Sequence, residues 1–222
     1  MFKVDAQEAA KVCGRALQHM LELTATRGRT GSDMRTAIGD FLAQAEKLFI
    51  ADAAGQPLAD VFDAARDAGI TLAQLDAVRA AVSNEAPKTV GATMVKNALI
   101  NFTLSTEGTI LAGTTFVSRE DAEAMKLRMN DAFAPMEEIA ADDMAQMTYQ
   151  ALVRLHAAIT FFLIETARPL PRMLRYQFAQ SLPTLIIAYR LYSDAGRADE
   201  VRNENKVVHP AFCKALGRAL SN

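Results

Sequence analysis

The sequence has no tryptophan, and aromatic residues make up only 7% of its 222 positions. It has two cysteines, three histidines and seven prolines. Each scarcity narrows the field. Cys13 and Cys213 lie near opposite ends, and neither belongs to a CxxC or Cys/His spacing. That disfavours a disulfide scaffold or a zinc site and points to two reduced, buried thiols. His19, His156 and His209 show no metal-ligand spacing such as HExxH. Charge of one sign is missing too, with 24 basic against 26 acidic residues and a net charge of −2. A bulk electrostatic grip on DNA needs clustered Lys and Arg that displace counterions, so direct nucleic-acid binding is expected to be weak or absent. The opening MFKVDAQEAAKVCG has charges where a signal peptide needs an apolar core. The stretch LVRLHAAITFFLI contains Arg154 and His156 and is short of a membrane span. The chain therefore reads as soluble and cytoplasmic when synthesised.

What is present favours helix. Half of the residues are hydrophobic, which suffices for a sizeable core, and Ala, Leu and Met dominate. Residues 5–26 carry Val12, Ala16, Leu17, Met20 and Leu21 at helical spacing. Thr26 to Ser32 is a break with two glycines, after which Ser32 or Asp33 is expected to cap a helix reaching about Ala53. Two short helices follow, about 57–68 and 71–83, with Thr71 as an N-cap. Glu85-Ala86-Pro87-Lys88 is the best internal boundary. Thr89 to about Thr115 reads as one long helix, against a hairpin suggested by Gly108, Gly113 and the β-branched Thr114, Thr115 and Val117. Ser118-Arg119-Glu120-Asp121 resembles a capping box, Pro135 restarts or kinks the helix after it, and 136–167 reads as the longest helix. Three regions result: a helical region 1–87, a long-helix region 88–167 and a C-terminal module 168–222.

No group of residues assembles a recognisable catalytic constellation, and no enzyme, cofactor or metal is expected. His156, between Leu155 and Ala157, reads as a satisfied, partly buried side chain. Met125, Met129, Met136, Met144 and Met147 read as packing. The acidic Glu137, Glu138, Asp142 and Asp143 point in different directions around a helix and read as a solvated face. Arg15, Arg27, Arg29 and Arg35 surround the Gly28–Gly31 turn, but no aromatic interleaves and no phosphate-loop signature follows.

The C-terminal module is richer in signals. LPRMLRYQFAQS alternates and reads as extended. In SLPTLIIAYRLY, Ser181 precedes a helix with Pro183 in its first turn, and Leu185, Ile186 and Tyr189 are expected on its inner face. Asp194 is placed to cap a second helix, roughly Ala198 to Glu204, with Asn205 as a left-handed stop and His209-Pro210 closing it. Tyr189 and Tyr192, three apart, share a helix side, which suits either a partner-facing surface or core packing. The candidate interaction residues are Tyr189, Arg190, Tyr192, Arg197, Asn205, His209 and Phe212.

These residues carry a resemblance. LP…SLPTLIIAYRLYSDAGRADEV…N…HPAF is similar to the C-terminal end of the Mu-type phage DNA-circularisation (N) protein family, tail and baseplate proteins of contractile-tailed phages and prophages. The strand–helix–helix order also resembles a LysM module of the kind embedded in phage baseplate proteins. The stretch Gly113 to Leu170 fits the family's middle region less distinctively. Two features depart from the family. It normally carries a β-rich N-terminal domain, which this chain does not show, and its end runs HPGF, a Pro/Gly turn and a closing strand. Here His209-Pro210-Ala211-Phe212 is followed by CKALGRALSN, so the closing element stays open between strand and helix. The resemblance implies a mainly α-helical chain, with a multi-helix body and a small α+β LysM-like module. It implies a tail or baseplate assembly protein of a Mu-like phage or prophage, oligomeric, bound to other tail proteins and carried in the virion. Two alternatives go with it: a DNA-end-binding circularisation protein, or glycan binding through the LysM-like module.

Overall fold

The computed structural model describes residues 1–24 and 27–221. Thr26, where the first break is expected to begin, lies outside the described residues. The protein is mainly helical with one small sheet near the C-terminus. It forms two compact units, 1–114 with 129–159, and 115–128 with 160–222.

The first unit holds α1 (Lys3–Leu23), α2 (Arg29–Ile50), α3 (Gly55–Asp67), α4 (Leu72–Ser83) and α5 (Val90–Ala112). α1 packs against α2, α4 and α5, and α3 rests on α2 and α5. Leu17, Met20, Met34, Ile38, Phe41, Leu75, Leu99 and Leu104 are almost wholly buried. Burying such a side chain stabilises by roughly 1.5–3 kcal/mol, and this shared core holds helices that would fray alone. Phe62 stacks on Phe102 at 5.5 Å. Gly91 lets α5 meet α1 closely, since a Cβ there would lie 2.8 Å from Asp5 Cβ.

Local signals set several ends. The Thr71 hydroxyl accepts from the Gln74 amide, and the Gln74 side chain accepts from the Thr71 amide, which completes a capping box. The Thr89 hydroxyl caps α5 through the Ala92 amide. The long reading of residues 89–115 as helix holds, with Gly113 at the stop. α2, however, begins three residues before Ser32. Gly28, at φ 88°, is its N-cap, and the Gly28 carbonyl accepts from the Ser32 amide. Only glycine takes that backbone at little cost. Ser32 and Asp33 are simply exposed on the first turn.

α6 (Arg119–Asp142) and α7 (Gln146–Ala167) follow. The Ser118 hydroxyl accepts from the Asp121 amide and donates to the Asp121 carboxylate, so the expected start is in place. The single helix expected over 136–167 is absent. α6 continues through Pro135 to Asp142, and the chain then turns. Met144 adopts φ 52°, the Met144 amide donates to the Ala141 carbonyl and the Ala145 amide to the Ala140 carbonyl. This double pairing is a Schellman stop with methionine in the place usually held by glycine. Asp142 and Asp143 sit at the negative end of the helix, which further disfavours continuation. Met129 and Met136 pack in the core as expected, but Met144 and Met147 are 89% and 81% exposed. α7 is long and apolar enough to cross a membrane by length and composition alone, and most of it is not buried.

The second unit closes on β1 (Met173–Gln177), α8 (Thr184–Tyr192), a 3-10 turn (Ala195–Arg197), α9 (Ala198–Glu204) and β2 (Leu216–Leu220). β1 and β2 pair antiparallel, with Met173 opposite Leu220 and Gln177 opposite Leu216. The closing element left open by the sequence is thus a strand. The order is strand, helix, helix, strand around Tyr176, Ile187, Ala188, Val201, Cys213 and Ala219. The first turn of α6 fastens the start of β1. The Arg119 amide donates to the Pro171 carbonyl, and the Met173 amide donates to the Glu120 carboxylate at 2.7 Å.

Four local expectations for this module are corrected. Leu185, Ile186 and Tyr189 are not the inner face of α8; they are 57%, 38% and 62% exposed, while Ile187 and Ala188 are fully buried. The buried side is Thr184, Ile187 and Ala188, two residues out of phase with the expected one, and two steps of about 100° turn the helix to its opposite side. Ser181 caps nothing. Its hydroxyl donates to the Cys213 carbonyl, beside a two-way bridge between Leu182 and Cys213. Asn205 keeps φ −100°, and the left-handed stop falls on Lys206 at φ 50°. α9 has ended at Glu204 before His209-Pro210, whose turn instead meets α8, with the Pro210 carbonyl accepting from the Thr184 amide at 2.8 Å.

Candidate interaction surface

The seven candidate residues lie on the βααβ module but separate into small groups. Asn205 is a structural clasp. Its side-chain amide donates to the carbonyls of Val201 and Arg218, and its side-chain oxygen accepts from the Arg218 amide, each at 2.8 Å. It therefore occupies the outer edge of β2 as a missing strand would. Arg197 donates to Glu200 at 3.0 and 2.8 Å, and its guanidinium carbon lies 3.6 Å from the centre of the Tyr192 ring. This cation–π contact and ion pair fix the 3-10 turn against α9. Burial, with the Glu200 carboxylate nearby, pushes the Tyr192 hydroxyl up to about 12. Asp194 accepts from the Gly196 amide and starts the turn. Arg190 lies 5.6 Å from the Phe178 ring centre.

The remaining three face outward. Tyr189 is 62% exposed and Phe212 74%. Phe212 makes a tilted ring contact with His209 at 5.4 Å. The neighbouring Val208 is also exposed. These apolar groups are free to meet a partner, whereas Tyr192, Arg197 and Asn205 are engaged in holding the module. Beneath them, the Tyr176 hydroxyl lies 3.1 Å from Cys213 Sγ, and burial first, then Cys213, raise the tyrosine above its ordinary range.

The sequence reading missed a basic surface on the same module. Between residues 172 and 221 the chain has eight Lys or Arg against four Asp or Glu, although the whole protein is balanced. Arg175, Lys206, Lys214 and Arg218 line a cavity of about 450 Å³, with Glu204, Asn205, Leu216 and Gly217. The strand register puts Arg175 opposite Arg218. Burial raises the Glu204 carboxyl, Asp121 and Glu200 add to this, and Arg218 works against it. The signal was hidden because the two arginines are far apart in sequence and meet only once β2 exists.

In the first unit, His156 is satisfied as expected. Its ring nitrogens contact Glu137 at 2.9 Å and Asn130 at 2.8 Å, and Phe133 stacks on it at 4.9 Å. Arg15, from the expected basic turn, reaches Glu85 through two contacts of 2.6 Å. Both cysteines are free and buried, and burial pushes the Cys13 thiol up to about 12. Among the described residues no three His, Cys, Asp or Glu side chains gather as a metal cluster. Glu107 is a buried carboxyl whose oxygens lack hydrogen-bond partners, with Arg79 Nε 3.6 Å away. Burial raises it to about 7, against the pull of Arg79. No family model and no curated protein matches this sequence.

Proposed function

We propose that this chain is a structural component of a Mu-like phage or prophage tail or baseplate, acting by protein–protein contact and linked to the handling of injected DNA ends. It is made in the cytoplasm and carried into the virion. The observation that carries the reading is the meeting of motif and module. The residues that resemble the phage family, Leu170 to Phe212, supply β1, α8 and α9 of a βααβ unit that has its own buried core, and β2 closes it from the residues that follow. Around that core the module leaves Leu185, Tyr189, Val208 and Phe212 exposed, an apolar surface suited to assembly. The reading assigns the chain no catalytic step and no cofactor. Immunogold labelling of purified particles with an antibody against residues 172–221 tests it. Label is expected at the tail or its tip; particles that carry none would overturn the reading.

A further inference from the structure

The β1–β2 sheet has an unusual outer face. Arg175 and Arg218 stand directly opposite each other. Like charges in that relation repel. Two further hydrogen bonds fix which kind of pair this is. The Phe178 amide donates to the Ala215 carbonyl and the Ser221 amide to the Arg172 carbonyl, each at 2.7 Å. Residues 172, 174, 176 and 178 therefore point their backbone groups at β2. Arg175–Arg218 is then a non-hydrogen-bonded pair, the kind whose side chains lie closer together. Lys206 and Lys214 add charge around the same cavity. Of the acids nearby, Glu200 pairs with Arg197, Asp199 lies 4.0 Å from Arg202, Glu120 accepts from the Met173 amide and Asp121 acts on Glu204. Among the described residues that line the cavity, Glu204 is the one acid.

The same register leaves an open strand edge. The backbone groups of 173, 175 and 177 point away from β2. Glu120 takes the Met173 amide, and Asn205 covers the corresponding edge of β2 at Arg218. Among the described residues no side chain or backbone group bonds to the β1 edge at Arg175 and Gln177, both exposed. An uncovered edge is a template for another strand.

We propose that this edge and the arginine-bearing face together bind an extended, carboxylate-rich segment of a partner polypeptide. The segment adds a strand to β1, and its alternate side chains fall on the face that carries Arg175 and Arg218. Its carboxylates separate the two like charges. A nucleic-acid strand matches less of the surface, because its phosphodiester backbone brings acceptors only and does not pair with the outward carbonyls of Arg175 and Gln177. The exposed Leu216 beside the arginines also suits the mixed side chains of a peptide. The inference rests on the assembly reading for its partner being a protein, and it names the chemistry of that partner.

Fluorescence anisotropy of the full chain tests it, with a labelled peptide of alternating Glu and Val as the probe. The comparison probes are the same peptide with Gln for Glu and a single-stranded oligonucleotide of equal charge. The Glu peptide is expected to bind, the Gln peptide at least about tenfold more weakly, and the oligonucleotide more weakly than the Glu peptide. Arg175→Glu should abolish peptide binding while its melting temperature holds or rises, because a like-charge pair becomes an opposite one. Should that variant fail to fold, Lys214→Glu supplies the comparison, with binding again expected to fall. Absence of binding, binding indifferent to these reversals, or a preference for the oligonucleotide would each overturn the proposal. Co-assembly with tail proteins that persists without peptide binding sinks this inference and leaves the assembly reading standing. Peptide binding without co-assembly does the reverse.

Discussion

The buried carboxyl of Glu107 makes stability depend on pH in a direction opposite to most acidic residues. Glu107 is 1% exposed on α5, and neither oxygen has a hydrogen-bond partner. Arg79 stands 3.6 Å away and also faces Asp76. Burial raises the carboxyl from 4.5 to about 7. The folded state therefore holds a proton that the unfolded chain has lost, between those two values. Where the folded state binds more protons, stability falls as pH rises. Below 4.5 both states are protonated and the group contributes nothing. Above about 7 its full destabilisation is present, about 3 kcal/mol at about 1.4 kcal/mol per tenfold. Glu107→Gln mimics the neutral acid at every pH. Urea unfolding of wild type and variant, from about pH 4 to about pH 8, isolates the group because all other titrations cancel in the difference. The two proteins should be nearly equal at the acid end, with the variant more stable by about 3 kcal/mol at the alkaline end. A difference that stays flat across this range, or a variant that is weaker at high pH, would refute the reasoning and show that Arg79 fully compensates the charge.

Further outcomes follow from the C-terminal module. Ile187→Asp buries a carboxylate in its core and should cost about 3 kcal/mol or more, whereas Leu185→Asp, on the exposed side of α8, should cost under about 0.5 kcal/mol; thermal melts compare them. Gly217→Ala places a Cβ against the Tyr176 hydroxyl and the Asn205 side-chain oxygen, and a loss of roughly 1–3 kcal/mol is expected by denaturant unfolding. Asn205→Ala frees both backbone groups of Arg218 and should cost about 1 kcal/mol, with faster amide exchange at Arg218 as its local signature.

Much of the helical body was legible because its signals are local. Apolar spacing marked α1, α2 and α5, and Thr71 and Ser118 marked starts through hydrogen bonds that span three residues. The misses came where a stop or a face depended on something distant or on an unusual residue. The turn after α6 uses a left-handed methionine, which no composition rule signals. The phase of α8 depends on Pro183 and on the Leu182–Cys213 bridge, so a reading two residues out put Leu185 and Ile186 where Ile187 and Ala188 stand. The identity of β2 was open because ALGRAL has no strand signal of its own; pairing with β1 supplies it. The basic surface depends on that same pairing, and net charge averaged over the whole chain conceals it. Of the seven residues singled out from sequence, Tyr189 and the His209–Phe212 pair stand at the surface, while Asn205 and Arg197 brace the module.

The role proposed for the chain is assembly with phage-tail proteins. Light scattering coupled to size exclusion measures this directly, on the purified full chain alone and after co-expression with the proteins encoded beside it. The account predicts a mass above the 24.1 kDa of one chain, as an oligomer or in a stable complex with at least one of those neighbours. A species that stays at 24.1 kDa with every neighbour would contradict it.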